Sequence, residues 1–381
     1  MQWVWGRISN TISPLPGPDR IVLPTRHTLT SLKRYAPMLA FFGGFLWDAL
    51  TLGQKVKPMD FWILGTYLLG SAVIVWWLAR RDFLALVPPE EEEGWRGRWQ
   101  GLVWQAPYLL VQFFFGGIFS ALFILYFKSA SHLGAWVMAL VLGILLVGNE
   151  FMGARYGRRF TLTWGLFGLN AILLLNFVLP HVVGSLHPVW FHLSTVLGAS
   201  LAHGLRRLAP GRPGRILPAW GVAAALVLAW HLDMIAPVPL VKRDVALGHG
   251  FVHQDGQFLL QVEEPPVWQF WREWDRTAHV PEGGRLYGVS AVFAPLGVTA
   301  LLEHRWEYHD PSSGWRLMSR ARFAATGGRE RGFRGYSYVT SPPPGEWRLI
   351  VATQDGRTIA VQPVEVERGE PAPEKLVTKE F

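Results

Sequence analysis

The sequence predicts an α-helical membrane bundle of about seven transmembrane helices, followed by an all-β sandwich. Three observations carry that prediction. Half of the 381 residues are apolar or aromatic and only 17% are charged, whereas a soluble domain usually carries about 25% charged residues. Mean hydropathy is positive, at +0.20. Up to about residue 236 the apolar residues run together in long blocks, and beyond it they alternate with polar ones.

A bilayer core asks for roughly 20 mostly apolar residues, and at least about 17. Seven runs come close to that: Tyr35–Leu52, Phe61–Leu78, Ala106–Phe127, Leu133–Gly148, Leu162–Leu179, Val189–His203 and Ile216–Leu232. The third is the cleanest. The sixth is the weakest, because His192, Ser194, Ser200 and His203 interrupt it. The first run begins after 34 polar and Pro-rich residues, too late for a cleavable signal, and no small-residue cleavage site follows it.

Lys and Arg in the connecting loops set the orientation. Alternate loops hold 16 of them on one side and 3 on the other. The rich side is the cytoplasmic one, so seven spans put the N-terminus inside and the C-terminal domain in the periplasm of a bacterial inner membrane. The net charge of +8 would by itself invite a nucleic-acid reading. Residues 236–381, however, carry 17 Lys or Arg against 18 Asp or Glu. The basic excess lies in the segments assigned to the cytoplasm, where it orients the chain on anionic lipid. The expected partner is therefore the lipid bilayer, with no nucleic acid.

From about Arg243 the period becomes two. Leu302, His304, Trp306 and Tyr308 share one face of a strand, opposite Glu303, Arg305 and Glu307. In the next strand Trp315, Leu317, Ala321 and Phe323 are expected to oppose Arg316, Arg320 and Arg322. Such alternation is the mark of antiparallel sheet with one wet face. Further strands are expected at Phe258–Glu263, Leu286–Phe293, Gly335–Thr340, Trp347–Thr353 and Thr358–Val366. Asp355-Gly356 reads as a type I′ hairpin turn, and Asp310–Gly314 as a second turn. Trp268, Trp271 and Trp274, spaced by three, predict one face of a short helix. About seven short strands with regular turns indicate an immunoglobulin-like sandwich. The chain has no Cys, so packing alone must hold it, with Trp306, Trp315 and Trp347 as anchors. The absence of Cys also excludes thiolate metal sites, CxxC redox chemistry and a Cys nucleophile.

The chain then divides into an N-terminal arm (1–34), a transmembrane domain (35–235), a connector with a Trp-rich segment and the first strands (236–284), the sandwich (285–368) and a disordered tail (369–381).

Four motifs of the sandwich occur together: an H-x-W strand (His304, Trp306), the GGR…GFRGYS segment (Gly327 to Ser337), G-x-W-R (Gly345, Trp347, Arg348) and the closing DGR hairpin. In this combination Leu286–Glu367 resembles the bacterial domain-of-unknown-function family 2914. The resemblance implies a sandwich at the outer membrane face and implies no reaction.

Two groups of residues invite chemistry. Ionisable side chains within spans are costly and often functional. With the deduced topology, Asp48, His181, His187, His231 and Asp233 fall near the outer leaflet, with His132 and His192 close by. Carboxylates and imidazoles converging there would bind a divalent cation or relay protons; interfacial caps are the alternative. In the sandwich, Arg329, Arg334 and Arg348, with Arg331 and Arg357, form a candidate anion clamp for a lipid headgroup or an acidic glycan; solvated or Glu-paired arginines are the alternative. Glu303 and Glu307 sit four apart on one strand, about 13 Å between Cα atoms. That is too far for a retaining glycosidase pair and better suits partners such as Arg316 and Arg320. At the inner side, Glu150 is expected to pair with Arg155, Arg158 or Arg159. No catalytic residue, cofactor or metal signature is read. The expected function is a non-enzymatic membrane protein presenting a periplasmic sandwich to a protein, lipid or glycan. The alternative is a membrane enzyme or transporter using the His/Asp cluster.

Overall fold

The computed structural model describes residues 58–87, 95–130, 132–153, 155–237, 240–254, 256–269, 272–294, 298–327 and 332–381. The first expected span, with Asp48, lies outside them, as do Trp271 and Arg329.

Seven helices are described in the N-terminal region: α1 (Pro58–Phe83), α2 (Trp95–Ser129), α3 (Leu133–Glu150), the single turn α4 (Arg155–Arg158), α5 (Phe160–Val183), α6 (Pro188–Leu208) and α7 (Leu217–His231). Four of them (α1, α2, α3 and α5) are long and apolar enough to cross a membrane. The expected seven spans are therefore only partly matched. The 15 residues of α7 rise about 22 Å, less than the ~30 Å of a hydrocarbon core.

The polar residues of α6 explain how so interrupted a segment still packs. Ser194 bonds the Asn176 side chain on α5. Trp220 on α7 donates its Nε1–H to His203 Nδ1 at 3.2 Å. His192 lies against Trp230 and His231, with ring centroids at 5.1 and 5.8 Å. Gly198 makes the α5 contact possible, since a Cβ there would lie 2.6 Å from the Ile172 backbone. Helix–helix association in lipid depends on such small residues and interhelical hydrogen bonds.

At the arginine-rich end, Arg81 is buried against Trp104, its guanidinium 3.2 Å from the ring centroid, and donates to the Trp104 carbonyl at 3.1 Å. The salt bridge expected for Glu150 is not formed among the described residues. A neutral clamp stands in its place: Asn149 Nδ2 donates to the Gln112 carbonyl and Gln112 Nε2 to the Glu150 carbonyl, both at 2.9 Å. Tyr156 closes the clamp by donating to Asn149 Oδ1. A neutral network avoids the desolvation cost of two ions.

The C-terminal region is β-sandwich-like, with eleven described strands in three sheets. They are β1 (Val241–Gly248), β2 (Phe251–Gln254), β3 (Gln257–Glu263), β4 (Thr277–Val280), β5 (Arg285–Phe293), β6 (Thr299–Asp310), β7 (Gly314–Thr326), β8 (Phe333–Thr340), β9 (Gly345–Thr353), β10 (Thr358–Arg368) and β11 (Leu376–Glu380). One sheet is β4-β10-β9-β6-β7, a second β1-β5-β8 and a third β11-β3-β2. The main core lies between the first two sheets, around Trp306, Trp347, Leu349, Val351, Leu286 and Leu302. A smaller core of Ala246, Leu260, Val262, Val289, Ala291 and Phe381 joins the third sheet to the back of the second. The middle sheet is thus covered on both faces. That explains why β5 reads as a near-continuous apolar run rather than an alternation. Gly288 on β5 makes room for the tryptophan, since a Cβ there would meet Trp306 Cζ2 at 2.8 Å.

Four expectations need correction. The tail 369–381 is not disordered: β11 pairs antiparallel with β3, and Phe381 is buried. Among its described residues the Trp-rich segment does not form the expected helix with one Trp face: Val267–Gln269 form a 3-10 turn, and Trp268 is exposed while Trp274 packs on both cores. The hairpin at Asp355-Gly356 is not type I′, which needs positive φ at both central residues. Gly356 alone has it, at +90°, and the loop closes by Thr353 N–H bonding the Arg357 carbonyl at 2.9 Å. Finally, Trp315 and Leu317 do not share a face with Ala321 and Phe323. A β-bulge between Trp306 and Glu307 adds Met318 to β7, and one extra residue exchanges the two faces.

Candidate functional site

The ends of α2, α5 and α7 and the start of α6 meet the sandwich at one level. Leu186, between α5 and α6, packs against the main sandwich core. Ser185 bridges Thr299 at the start of β6, whose N–H bonds the Gly184 carbonyl at 3.3 Å. The β9–β10 hairpin reaches back toward the helices. There Arg357 donates to the Ile235 carbonyl, stands 5.3 Å from the Trp230 ring centroid, and lines a small cavity with Tyr126 and Asn176. Burial pulls its guanidinium below the ordinary arginine value, while Asp355, Tyr126 and Asp233 oppose the shift. The Thr358 N–H donates to Asp233 Oδ1 at 3.3 Å.

The structure brings together part of the expected polar cluster. Asp233 faces His132, whose Nε2 lies 2.5 Å from the Asp233 carbonyl oxygen and 3.7 Å from Oδ2. His231 meets Trp230 edge-on, centroids 4.9 Å apart, and lies tilted against His192 at 5.8 Å. His187 caps α6, its Nδ1 accepting from Val189 N–H at 3.3 Å, and lines the cavity beside Arg357. His181 lies against Phe61, centroids 4.6 Å apart. Among the described residues no three His, Asp or Glu side chains are placed to hold a metal ion.

Of the expected anion clamp, the described Arg334 and Arg348 do not converge. Arg334, on the middle sheet, donates to the Gly256 carbonyl at 2.7 Å. Arg348, on the large sheet, is paired with Glu307 (Nε to Oε2 2.8 Å) and stacks 4.0 Å from the Trp315 ring centroid. Glu303 is 2% exposed and has guanidinium nitrogens of Arg305, Arg320 and Arg322 each 3.6 Å away. Arg320 is thus a partner of Glu303 as expected, while Arg316 turns to Asp310 at 3.4 Å. The Asp310 carboxyl, bonded first by Ser312, is held at about 2 and pins that turn.

Two closed polar networks hold the β layers. His304 is fully buried between the main sheets: Nε2 is 2.7 Å from Ser290 Oγ and Nδ1 2.8 Å from Ser337 Oγ, which also accepts from Trp306 Nε1 at 2.8 Å. Burial holds its imidazole at about 3. Glu263 ties the third sheet to the rest, with Oε1 2.8 Å from His249 Nε2 and Oε2 2.7 Å from His279 Nδ1. Desolvation pushes this carboxyl up, but the bonds from His249 and His279 outweigh it and hold it at about 2.

The most open surface of the large sheet is β7, a 13-residue strand at its edge. The bulge puts Trp315, Leu317 and Met318 toward solvent, 39%, 48% and 52% exposed. Period-two counting assigned the first two to the core and missed this patch. A bulge leaves no reliable mark in sequence, so only the register could find it.

Residues 300–366 match the family model described as "Protein of unknown function (DUF2914)". No curated protein matches the chain. Among solved structures, an immunoglobulin-like protein from Pseudomonas aeruginosa is 11% identical, with 32% of this chain and 97% of that one covered, at a TM-score of 0.20. A β-glucosidase from Listeria innocua is 12% identical over 30% of this chain, at a TM-score of 0.19; the match spans 16% of the β-glucosidase's length. The DNA-bound alkylpurine DNA glycosylase AlkC of Pseudomonas fluorescens is 12% identical, covers 83% of each chain and has a TM-score of 0.20. At these scores none of them bears on activity.

Proposed function

We propose that this is a multi-pass protein of the bacterial inner membrane that holds an immunoglobulin-like sandwich in the periplasm as a non-enzymatic docking module for another protein. One observation carries the reading. Among the described residues the exposed edge strand β7 pairs on one side only, and it carries Trp315, Leu317 and Met318 near the hairpin at Asp310–Gly314, the end opposite Thr299 and the helices. Unpaired edges are templates for strand addition, and natural proteins usually blunt them. The four long apolar helices and the one-sided placement of Lys and Arg support the membrane reading, with the N-terminus in the cytoplasm. Lipid or glycan binding by the sandwich arginines draws less support, since Arg348 is already paired with Glu307.

The test is photo-crosslinking in native membranes, with the probe at Leu317 or Met318 and a control probe at Thr378 on β11. The expected result is a discrete protein adduct from β7 that the control does not give. Equal labelling at both places, or none, contradicts the proposal. The His132–Asp233 pair favours a second reading, a membrane enzyme or transporter. A replacement Asp233→Asn that leaves the cellular phenotype of the wild type intact removes that reading.

A further inference from the structure

The junction carries a feature that docking does not require. Tyr126 and Asn176 are almost fully buried, at 1% and 4% exposure. The Tyr126 hydroxyl, Asn176 Nδ2 and Arg357 Nε are all buried without a hydrogen-bond partner among the described residues. All three residues line one cavity of about 30 Å³, together with Pro180, His187, Phe191 and Ile235. Asn176 is oriented by Ser194, which donates to its Oδ1 and so leaves the NH₂ as the free group. Arg357 donates one hydrogen bond, to the Ile235 carbonyl, and Asp355 and Asp233 act on it through space without an ion pair among the described residues.

Each of these facts is costly alone. A buried donor without a partner costs about 1–3 kcal/mol, and a buried charge needs a counter-charge or strong hydrogen bonds. Together they share one chemistry. Every free group can donate an N–H or O–H, and the Arg357 guanidinium brings a positive charge that Asp355 and Asp233 offset only from a distance. A water molecule accepts at most two hydrogen bonds and must place its own two hydrogens. An anion accepts from all three donors and neutralises the guanidinium. The volume suits one water-sized particle and excludes a phosphate headgroup or a sugar acid.

We propose that the cavity between Tyr126, Asn176 and Arg357 is a binding site for one small monovalent anion of halide size. The anion joins donors from α2, α5 and the β9–β10 hairpin, so it fastens the sandwich to the helices.

The full chain in detergent, with sodium gluconate replaced by sodium chloride or bromide at constant ionic strength, tests this. Thermal unfolding is expected to rise saturably by several degrees with either halide. Tyr126→Phe and Asn176→Ala are each expected to remove the saturable part. Equal unfolding temperatures in gluconate and halide, or a halide dependence unchanged in both variants, overturn the proposal. A second readout needs no variant: diffraction at the bromine edge from crystals of the wild-type chain grown in bromide. A bromine peak between the three side chains supports the site. Its absence, with bromide found only at surface positions, overturns it.

Discussion

The sandwich and the helix ends beneath it hide polar groups in opposite ways. In the sandwich two networks close on themselves, with His304 using both ring nitrogens and Glu263 both carboxylate oxygens, and buried Glu303 Oε2 still has Arg320 and Arg322 at 3.6 Å. At the helix ends Tyr126, Asn176 and Trp230 keep buried donors that no described side chain or carbonyl meets. A closed network fixes one packing and resists change. An open one leaves hydrogen-bonding capacity for something that is not protein. Under the proposed function, the contrast fits a sandwich held in one packing and a junction with hydrogen-bonding capacity to spare.

The largest way to break this contrast is to open the closed network. Replacement His304→Ala leaves Ser290, Ser337 and Trp306 without their partner and creates a void. It is expected to cost the sandwich about 3–5 kcal/mol, read by urea unfolding. The same residue predicts an acid response. Its imidazole titrates near 3 in the fold, against 6.5 ordinarily. Between those values the unfolded chain binds a proton that the fold refuses, so stability falls as pH drops through that window. Glu263 adds to it lower down: its carboxyl, held at about 2 against 4.5, stabilises above the ordinary value and loses that contribution as pH falls toward 2. Denaturation midpoints from pH 7 to 3 in the wild type and in His304→Gln check this; the slope above pH 4 is expected to flatten in the variant.

Next in size is Glu263→Gln, which weakens the tie between the third sheet and the rest. The expected loss is about 2–3 kcal/mol, confined to faster amide exchange in β2, β3 and β11. Smaller again is Arg357→Gln, at about 1–2 kcal/mol. Faster exchange is expected at Thr358, whose amide bonds Asp233, with the core strands unchanged. Smallest is Leu317→Asp. It should leave folding within about 0.5 kcal/mol of the wild type while removing the crosslinked adduct.

Much of the fold was legible in sequence, for physical reasons that differ by region. The runs that became α1, α2, α3 and α5 are long, so their signal adds over many residues. The alternation in β6 and the breaks around β9 and β10 were readable because one face is buried and the turns carry Gly, Pro and Asp. Three things were not. The bulge at Met318 moved Trp315 and Leu317 outward without any local mark. The strand β11 hides in a charged tail, since only its pairing with β3 and the burial of Phe381 define it. The cavity donors lie far apart in sequence, on α2, α5 and the hairpin before β10, so no spacing rule joins them. Sequence places Arg357 near Arg348, whereas the fold sends the two to opposite ends of the large sheet.

The central claim, that the sandwich stands on the outer side of the membrane from the arginine-rich loops, is open to one direct measurement. The chain has no Cys, so single replacements report without background. Ser312→Cys lies in the exposed turn at the far end of β6, and Arg207→Cys on the exposed surface near the end of α6. A maleimide that does not cross the inner membrane is added to intact cells. The account predicts labelling at position 312 in intact cells and at 207 only after lysis. Labelling of 207 in intact cells, with 312 protected until lysis, would contradict it.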